Sequence, residues 1–164
     1  MARLSIISLL MVLSGCAGKP SHPTERERDV GFAGVQARGR AAMGVDQYTS
    51  THRFEPLPDG GRIVLQRDAE DSAGTAEIRR HMADIALRFA AGDFALPGFV
   101  HARQVPGIAI MAAKRAAIHY RVDSLPRGAA LRVQSADADA VAAIHEFLAF
   151  QRQDHHAGGD HSGT

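Results

Sequence analysis

Two short segments in the two halves of the chain have nearly the same sequence, and they constrain the fold more than any other feature. The sequence Leu-Pro-Asp-Gly at 57–60 leads into an alternating run at 62–66, and Leu-Pro-Arg-Gly at 125–128 leads into another at 130–134. A turn with proline and glycine between alternating runs is typical of a β-hairpin. Acidic capping residues and an amphipathic helix follow each hairpin. We therefore predict an α+β fold, in which two β-β-α half-repeats form a four-stranded antiparallel sheet with two helices on one face.

The apolar residues of the predicted elements follow the periods of strands and helices. In each predicted edge strand, three residues at even spacing are expected to point toward the core. They are Tyr48, His52 and Phe54 in the first strand, and Ile118, Tyr120 and Val122 in the second. The apolar stripes of the helices consist of Ile78, Met82, Ile85 and Phe89, and of Val141, Ile144 and Leu148. We expect Gly92 to end the first helix, and Asp137 or Asp139 to cap the second.

The segment 94–116 separates the two half-repeats. It contains Pro97-Gly98 and Pro106-Gly107, and the alanine-rich sequence after the second pair predicts a short helix from about Gly107 to Arg115. Insertions of this length in small domains are often functional, so the segment is a candidate part of a site.

The N-terminal residues have the pattern of an export sequence. Arg3 precedes an apolar run at 4–13, which is too short to cross a bilayer as a helix, and small residues lead to Cys16. The ending Leu-Ser-Gly-Cys at 13–16 resembles the lipobox of bacterial lipoproteins. This resemblance implies a signal peptide over 1–15, lipidation of Cys16 and attachment to a membrane. Because Ala17 follows the cysteine, it also implies the outer membrane, facing the periplasm.

The rest of the chain divides by composition. Residues 16–45 lack a persistent period and predict a lipidated N-terminus with a flexible tether. A single domain is expected over 46–156, and a disordered tail rich in His and Asp over 157–164. The 19 Lys and Arg residues balance 18 Asp and Glu residues, so the charge excess of a nucleic-acid-binding protein is missing. A single cysteine excludes an internal disulfide and a multi-cysteine metal site.

Nine histidines are the one compositional excess. Histidine is the commonest metal ligand, and a nitrogen and sulfur ligand set suits copper or, less well, zinc. Glu77 and Asp84 flank His81 at helical spacing, where either carboxylate would orient its ring. The alternative is that these are core histidines with satisfied hydrogen bonds and methionines that fill gaps. The metal hypothesis needs four side chains to converge at one end of the sheet: His52, His81, His101 and Met111.

Polar residues continue the apolar stripe of the second helix. The positions after Leu148 hold Gln151 and His155. Polar residues at such positions are typical of a helix that extends beyond the core. The alternative is that Gln151 and His155 line a cleft together with His145.

A second resemblance covers about residues 52–155. The sequence is similar to an uncharacterised family of small secreted bacterial proteins, which implies no known activity. The shared pattern places His81, His101, His145 and His155 within it. Its residues are Phe89, Gly92, Asp93, Phe94, Pro97, His101, Pro106, Gly107, Ile144, His145 and Phe147.

Two functions fit these observations. One is a lipid-anchored envelope protein that binds a ligand, such as a copper or zinc ion, through its histidines. The other is a structural lipoprotein that docks an envelope partner and holds no metal. No Gly-x-Ser-x-Gly elbow or phosphate-binding glycine loop is present, which disfavours an enzyme.

Overall fold

A computed structural model of the protein describes residues 25–44 and 47–157. The predicted signal peptide, Cys16, the start of the predicted tether and the tail at 158–164 lie outside the described residues. Within the described part of the chain, no helix is long and apolar enough to span a membrane.

The predicted α+β fold is confirmed. Four strands form one antiparallel sheet in the order β1-β2-β4-β3. Two-residue turns at 58–59 and 126–127 close the two hairpins. The central pair β2 and β4 therefore joins the two half-repeats. The strands are β1 Ser50–Leu57, β2 Gly60–Arg67, β3 Ile118–Leu125 and β4 Gly128–Ser135.

Five α-helices accompany the sheet within residues 25–44 and 47–157, and two of them contact it along one face. They are α1 Glu25–Met43, α2 Ser72–Ala90, α3 Ala95–His101, α4 Ile108–Ala113 and α5 Ala138–Asp154. The carboxylate of Asp71 accepts the Gly74 N–H at the start of α2, and that of Asp137 caps α5. Gly92 has a φ of 82° just after α2, the backbone conformation that the prediction of a helix stop requires.

The core lies between this face of the sheet and helices α2 and α5. The predicted stripe of α2 is buried, and so are Phe54 in β1 and Ile118 in β3. Tyr48 does not continue the parity of β1, because it lies in a short 3-10 turn before the strand and is exposed. Gly107 has a φ of 80° and sits so close to α5 that a Cβ would collide with the carbonyl oxygen of Ala143.

The prediction of a flexible tether is wrong for its second half, because residues 25–43 form α1. No proline interrupts this segment, but its glycines and weak periodicity hid the helix. Val35 and Gln36 are buried, and Arg38 Nε donates to the Val100 carbonyl oxygen at 2.7 Å. Tertiary contact with α3 thus stabilises a helix that its own pattern does not predict, and the folded part begins before residue 46.

The insertion contains two helices where one was predicted. Helix α4 matches the prediction within two residues at each end. Helix α3 was missed, because Pro97-Gly98 is typical of a turn. Pro97 lies in the first turn of α3, where a missing N–H costs no helical hydrogen bond.

Candidate functional site

A cavity of about 80 Å³ lies at the β1 edge of the sheet. Its wall combines residues of β1 and β2 with residues of α2, α3 and the last turns of α5. Most of the wall is apolar, including Phe54, Met82, Phe89 and Phe147. Its polar members are His52, His81, His101, Gln151 and His155.

Three of the four predicted metal ligands line this cavity. His52 lies on the inward face of β1, His81 on α2, and His101 at the end of α3. Met111 does not join them, because it is fully buried in the core on α4. Among residues 25–44 and 47–157, no three His, Cys, Asp or Glu side chains lie close enough together to hold a metal ion.

His101 is held by hydrogen bonds on both ring nitrogens. Its Nδ1 bonds to the carboxylate of Asp154, and its Nε2 lies 2.9 Å from Oε1 of Gln151. Arg103 pairs with the second oxygen of Asp154, and its guanidinium lies 4.6 Å from the ring centre of Phe150. A chain of polar contacts thus runs from an exposed arginine to the cavity wall.

Three buried polar atoms on the wall have no hydrogen-bond partner among the described residues. They are Nδ1 and Nε2 of His52 and the amide nitrogen Nε2 of Gln151. A buried polar group without a partner costs about 1–3 kcal/mol. Native proteins retain few such groups, and each one therefore requires an explanation.

Burial keeps three of the cavity histidines, His52, His81 and His155, uncharged at neutral pH. Burial lowers the pKa of His52 to about 4; the neighbouring His81 adds to this shift, while the Ser50 backbone and Asp68 oppose it. Although the Ser50 backbone raises the pKa of this ring, neither ring nitrogen has a hydrogen-bond partner among the described residues. Burial also lowers the pKa of His81, against the opposing charge of Asp84. Each uncharged ring offers one donor and one acceptor.

His155 is the most strongly affected of these rings. Burial lowers its pKa to about 2, and the rings of His52, His101 and His156 add to the effect. Its ring lies nearly parallel to that of His52 at 5.6 Å, and edge-on to that of His101 at 5.0 Å. The parallel rings of His52 and His155 thus form one aromatic side of the cavity, and the ring of His101 stands edge-on beside them.

The other predicted site residues lie elsewhere. Glu77 pairs with Arg80, and Asp84 pairs with Arg88 at 2.7 Å, so arginines of the same helix engage both carboxylates. Their role in orienting His81 stays a prediction.

The residues at the end of α5 do not extend beyond the core. Gln151 and His155 are buried on the cavity wall, as the cleft alternative predicted. His145 takes no part in the cavity wall, because its Nε2 meets the Leu57 carbonyl oxygen at 2.9 Å at the first hairpin turn.

Sequence reasoning missed Asp154 and Arg103. Asp154 contacts both His101 and Arg103 across about fifty residues of chain, so no local spacing points to this pairing. Comparisons with known proteins add no name to the site: no family model matches the chain, and no curated protein or solved structure matches it.

Proposed function

We propose that this is a lipid-anchored protein of the cell envelope whose domain binds a small, uncharged molecule in the histidine-lined cavity. The lipobox-like sequence ending at Cys16 supports the anchor. The cavity supports the binding role.

The three unpartnered polar atoms carry this proposal. His52 contributes both ring nitrogens and Gln151 its amide nitrogen, all inside a mainly apolar cavity. An apolar cavity does not need polar groups on its wall for stability. A buried polar group is normally hydrogen-bonded to other groups of the protein. A few polar groups on an apolar concave wall are the usual composition of a small-molecule site.

The charges around the cavity favour an uncharged occupant. The rings of His52 and His155 are neutral at pH 7 because of their lowered pKa values. The carboxylate of Asp154, which contacts the wall residue His101, also pairs with Arg103. A charged ligand would lose its hydration without meeting an unpaired opposite charge.

Metal binding has less support. Both nitrogens of His101 are engaged, and no group of three ligating side chains is formed among the described residues. Binding of copper or zinc, and binding of an envelope protein, are therefore alternative outcomes that the experiment below distinguishes.

The binding role is tested on the full-length protein, produced in bacteria without a histidine tag and extracted in mild detergent. We expect native mass spectrometry to show a bound organic molecule of low mass and elemental analysis to show no stoichiometric metal. Val100→Phe fills the cavity and should abolish the adduct. Ile110→Phe, at an exposed apolar position on α4, is the matched control and should retain it. A stoichiometric metal, or a co-purified protein without a small molecule, would overturn the proposal.

The anchor has its own test. Cys16→Ser should move the protein from the membrane fraction to the soluble fraction and abolish incorporation of labelled palmitate. Ser14→Ala keeps a small residue before the cleavage site and should leave both unchanged. A Cys16→Ser protein that stays in the membrane fraction would refute lipid anchoring.

A further inference from the structure

Gln151 occupies the position at which the cavity can select its ligand. Its side-chain oxygen meets Nε2 of His101 at 2.9 Å, while its amide nitrogen has no partner among the described residues. The residue is only 5% exposed, so water outside the fold does not satisfy that nitrogen. The amide oxygen therefore bonds within the protein, whereas the amide nitrogen is available to a ligand in the cavity.

The orientation of this amide is fixed by its neighbours. Both ring nitrogens of His101 face oxygen atoms, one from the Asp154 carboxylate and one from Gln151. In this arrangement the ring is an imidazolium paired with Asp154, the form of histidine that donates from both nitrogens. Arg103 holds the second oxygen of Asp154 and keeps the carboxylate in place. Turning the Gln151 amide around would set its N–H groups against the N–H of His101. The amide nitrogen therefore remains a donor on the cavity wall.

His52 adds to the same pattern. An uncharged imidazole carries one N–H, and neither ring nitrogen of His52 has a partner in the described part of the chain. The wall thus offers at least one donor from each residue, and one acceptor nitrogen from His52. A carbonyl oxygen has two lone pairs and accepts two such hydrogen bonds, whereas a hydrocarbon accepts none.

We propose that the ligand is a compact, uncharged molecule with a carbonyl oxygen on an apolar body, and that Gln151 is the residue that selects this oxygen. This inference rests on the proposed function of the cavity. The aromatic rings of Phe54, Phe89 and His155 would contact the apolar body. A cavity of about 150 Å³ holds benzene, so about 80 Å³ encloses the carbonyl group and a few carbons, and a longer ligand would extend toward solvent.

The test compares two probes of the same ring size, cyclopentanone and cyclopentane. The protein is the chain from residue 16 onward with Cys16→Ser, which carries no acyl groups and contains every described residue. Binding is followed by NMR titration, with the side-chain amide signals of Gln151 as the direct reporter. We expect cyclopentanone to shift these signals and cyclopentane to shift only the signals of the apolar wall.

Gln151→Glu is the decisive variant, because it keeps an oxygen for His101 and removes the donor. We expect it to weaken cyclopentanone binding by about 3- to 10-fold, the value of one net hydrogen bond, and to change cyclopentane binding by less than about twofold. Gln153→Glu makes the same charge change at an exposed position of α5 and should leave both affinities unchanged. Gln151→Met removes the donor without adding charge. This variant replaces Gln151→Glu in the comparison if the glutamate variant does not fold.

The outcomes separate the two proposals. If cyclopentane and cyclopentanone both bind but neither Gln151 variant weakens cyclopentanone selectively, the assignment of the ligand class is wrong and the cavity remains a binding site. If neither probe binds the parent chain, both proposals are overturned.

Discussion

Helices α2 and α5 take equivalent places in the two half-repeats, but their buried stripes end differently. From Ile78 in α2 and from Ile144 in α5, the stripes advance by the same steps of four, three and four. The stripe of α2 is apolar throughout and ends in Ile85 and Phe89, whereas that of α5 ends in Gln151 and His155. Burial is nearly the same, at 2% exposure for Phe89 and 7% for His155. The site therefore lies where one copy of the repeat departs from the other.

The edge strands show the same contrast. His52 in β1 and Tyr120 in β3 precede their hairpin turns by equal distances, and both lie on the inward face. The hydroxyl of Tyr120 is buried without a partner among the described residues, and burial raises its pKa. The first hairpin places its polar ring at the cavity, but the second places its ring beside Phe89 at 6.1 Å.

The largest expected difference is between the ends of the two stripes. Phe89→Ala should lower the free energy of unfolding by about 3–5 kcal/mol, because the ring packs on Phe94 and Phe147. His155→Ala should cost less than about 2 kcal/mol, since burying its ring nitrogens offsets part of what its packing contributes. Chemical denaturation at pH 7 measures both changes. Equal losses would mean that the two stripes are energetically equivalent.

The second difference depends on pH. An unfolded histidine titrates near 6.5, whereas the pKa of folded His52 is about 4. At pH values between these two pKa values, the unfolded chain binds more protons than the folded chain. The contribution of His52 to the free energy of unfolding is therefore fully present above about pH 7 and decreases as the pH is lowered. His52→Phe should reduce the loss of unfolding free energy between pH 7 and pH 5 by about 2 kcal/mol.

The matched control for this prediction is His119→Gln. His119 is exposed on β3, so its removal should leave the pH dependence nearly unchanged. Urea unfolding at the two pH values gives the comparison. A His52→Phe protein with the parent's acid sensitivity would contradict the assignment of this titration to the cavity.

The smallest expected effect concerns the hydroxyl in the second half-repeat. Tyr120→Phe removes a buried O–H that has no partner in the described part of the chain. No hydrogen bond within that part is lost and a desolvated hydroxyl is removed, so the free energy of unfolding should not fall and should rise by about 1 kcal/mol at most. A loss of more than about 1.5 kcal/mol in thermal or chemical unfolding would show that the hydroxyl is bonded, for example to a buried water.

The repeated turns and the periodic apolar residues predicted most of the fold. The hairpin turns, the stripe of α2 and the caps depend on local sequence and lie where their patterns indicate. Two single positions depart from the patterns: Tyr48 lies outside β1, and Val141 of the predicted α5 stripe is only partly buried. Helix α1 could not be predicted, since it depends on contacts such as that between Arg38 and the Val100 carbonyl. Helix α3 was hidden by Pro97-Gly98, whose turn propensity is overridden by packing.

The candidate site was only partly predictable. Strand parity correctly turned His52 inward, and helical spacing placed Gln151 and His155 on the stripe of α5. Whether that stripe ended in solvent or on a cavity depended on α3, which was not predicted. Met111 was assigned to the site because it carries sulfur and lies on the predicted short helix of the insertion, but that helix packs against α5 in the core.

The strand order also determines when the cavity can exist during folding. Each hairpin joins neighbouring residues and can form within microseconds, whereas the central ladder pairs Gly60 with Gln134 across more than seventy residues. We therefore expect the joining of β2 to β4 to limit the folding rate. The cavity takes its wall from both half-repeats, so it is completed only by this last step, and a ligand that binds there would slow unfolding without speeding folding.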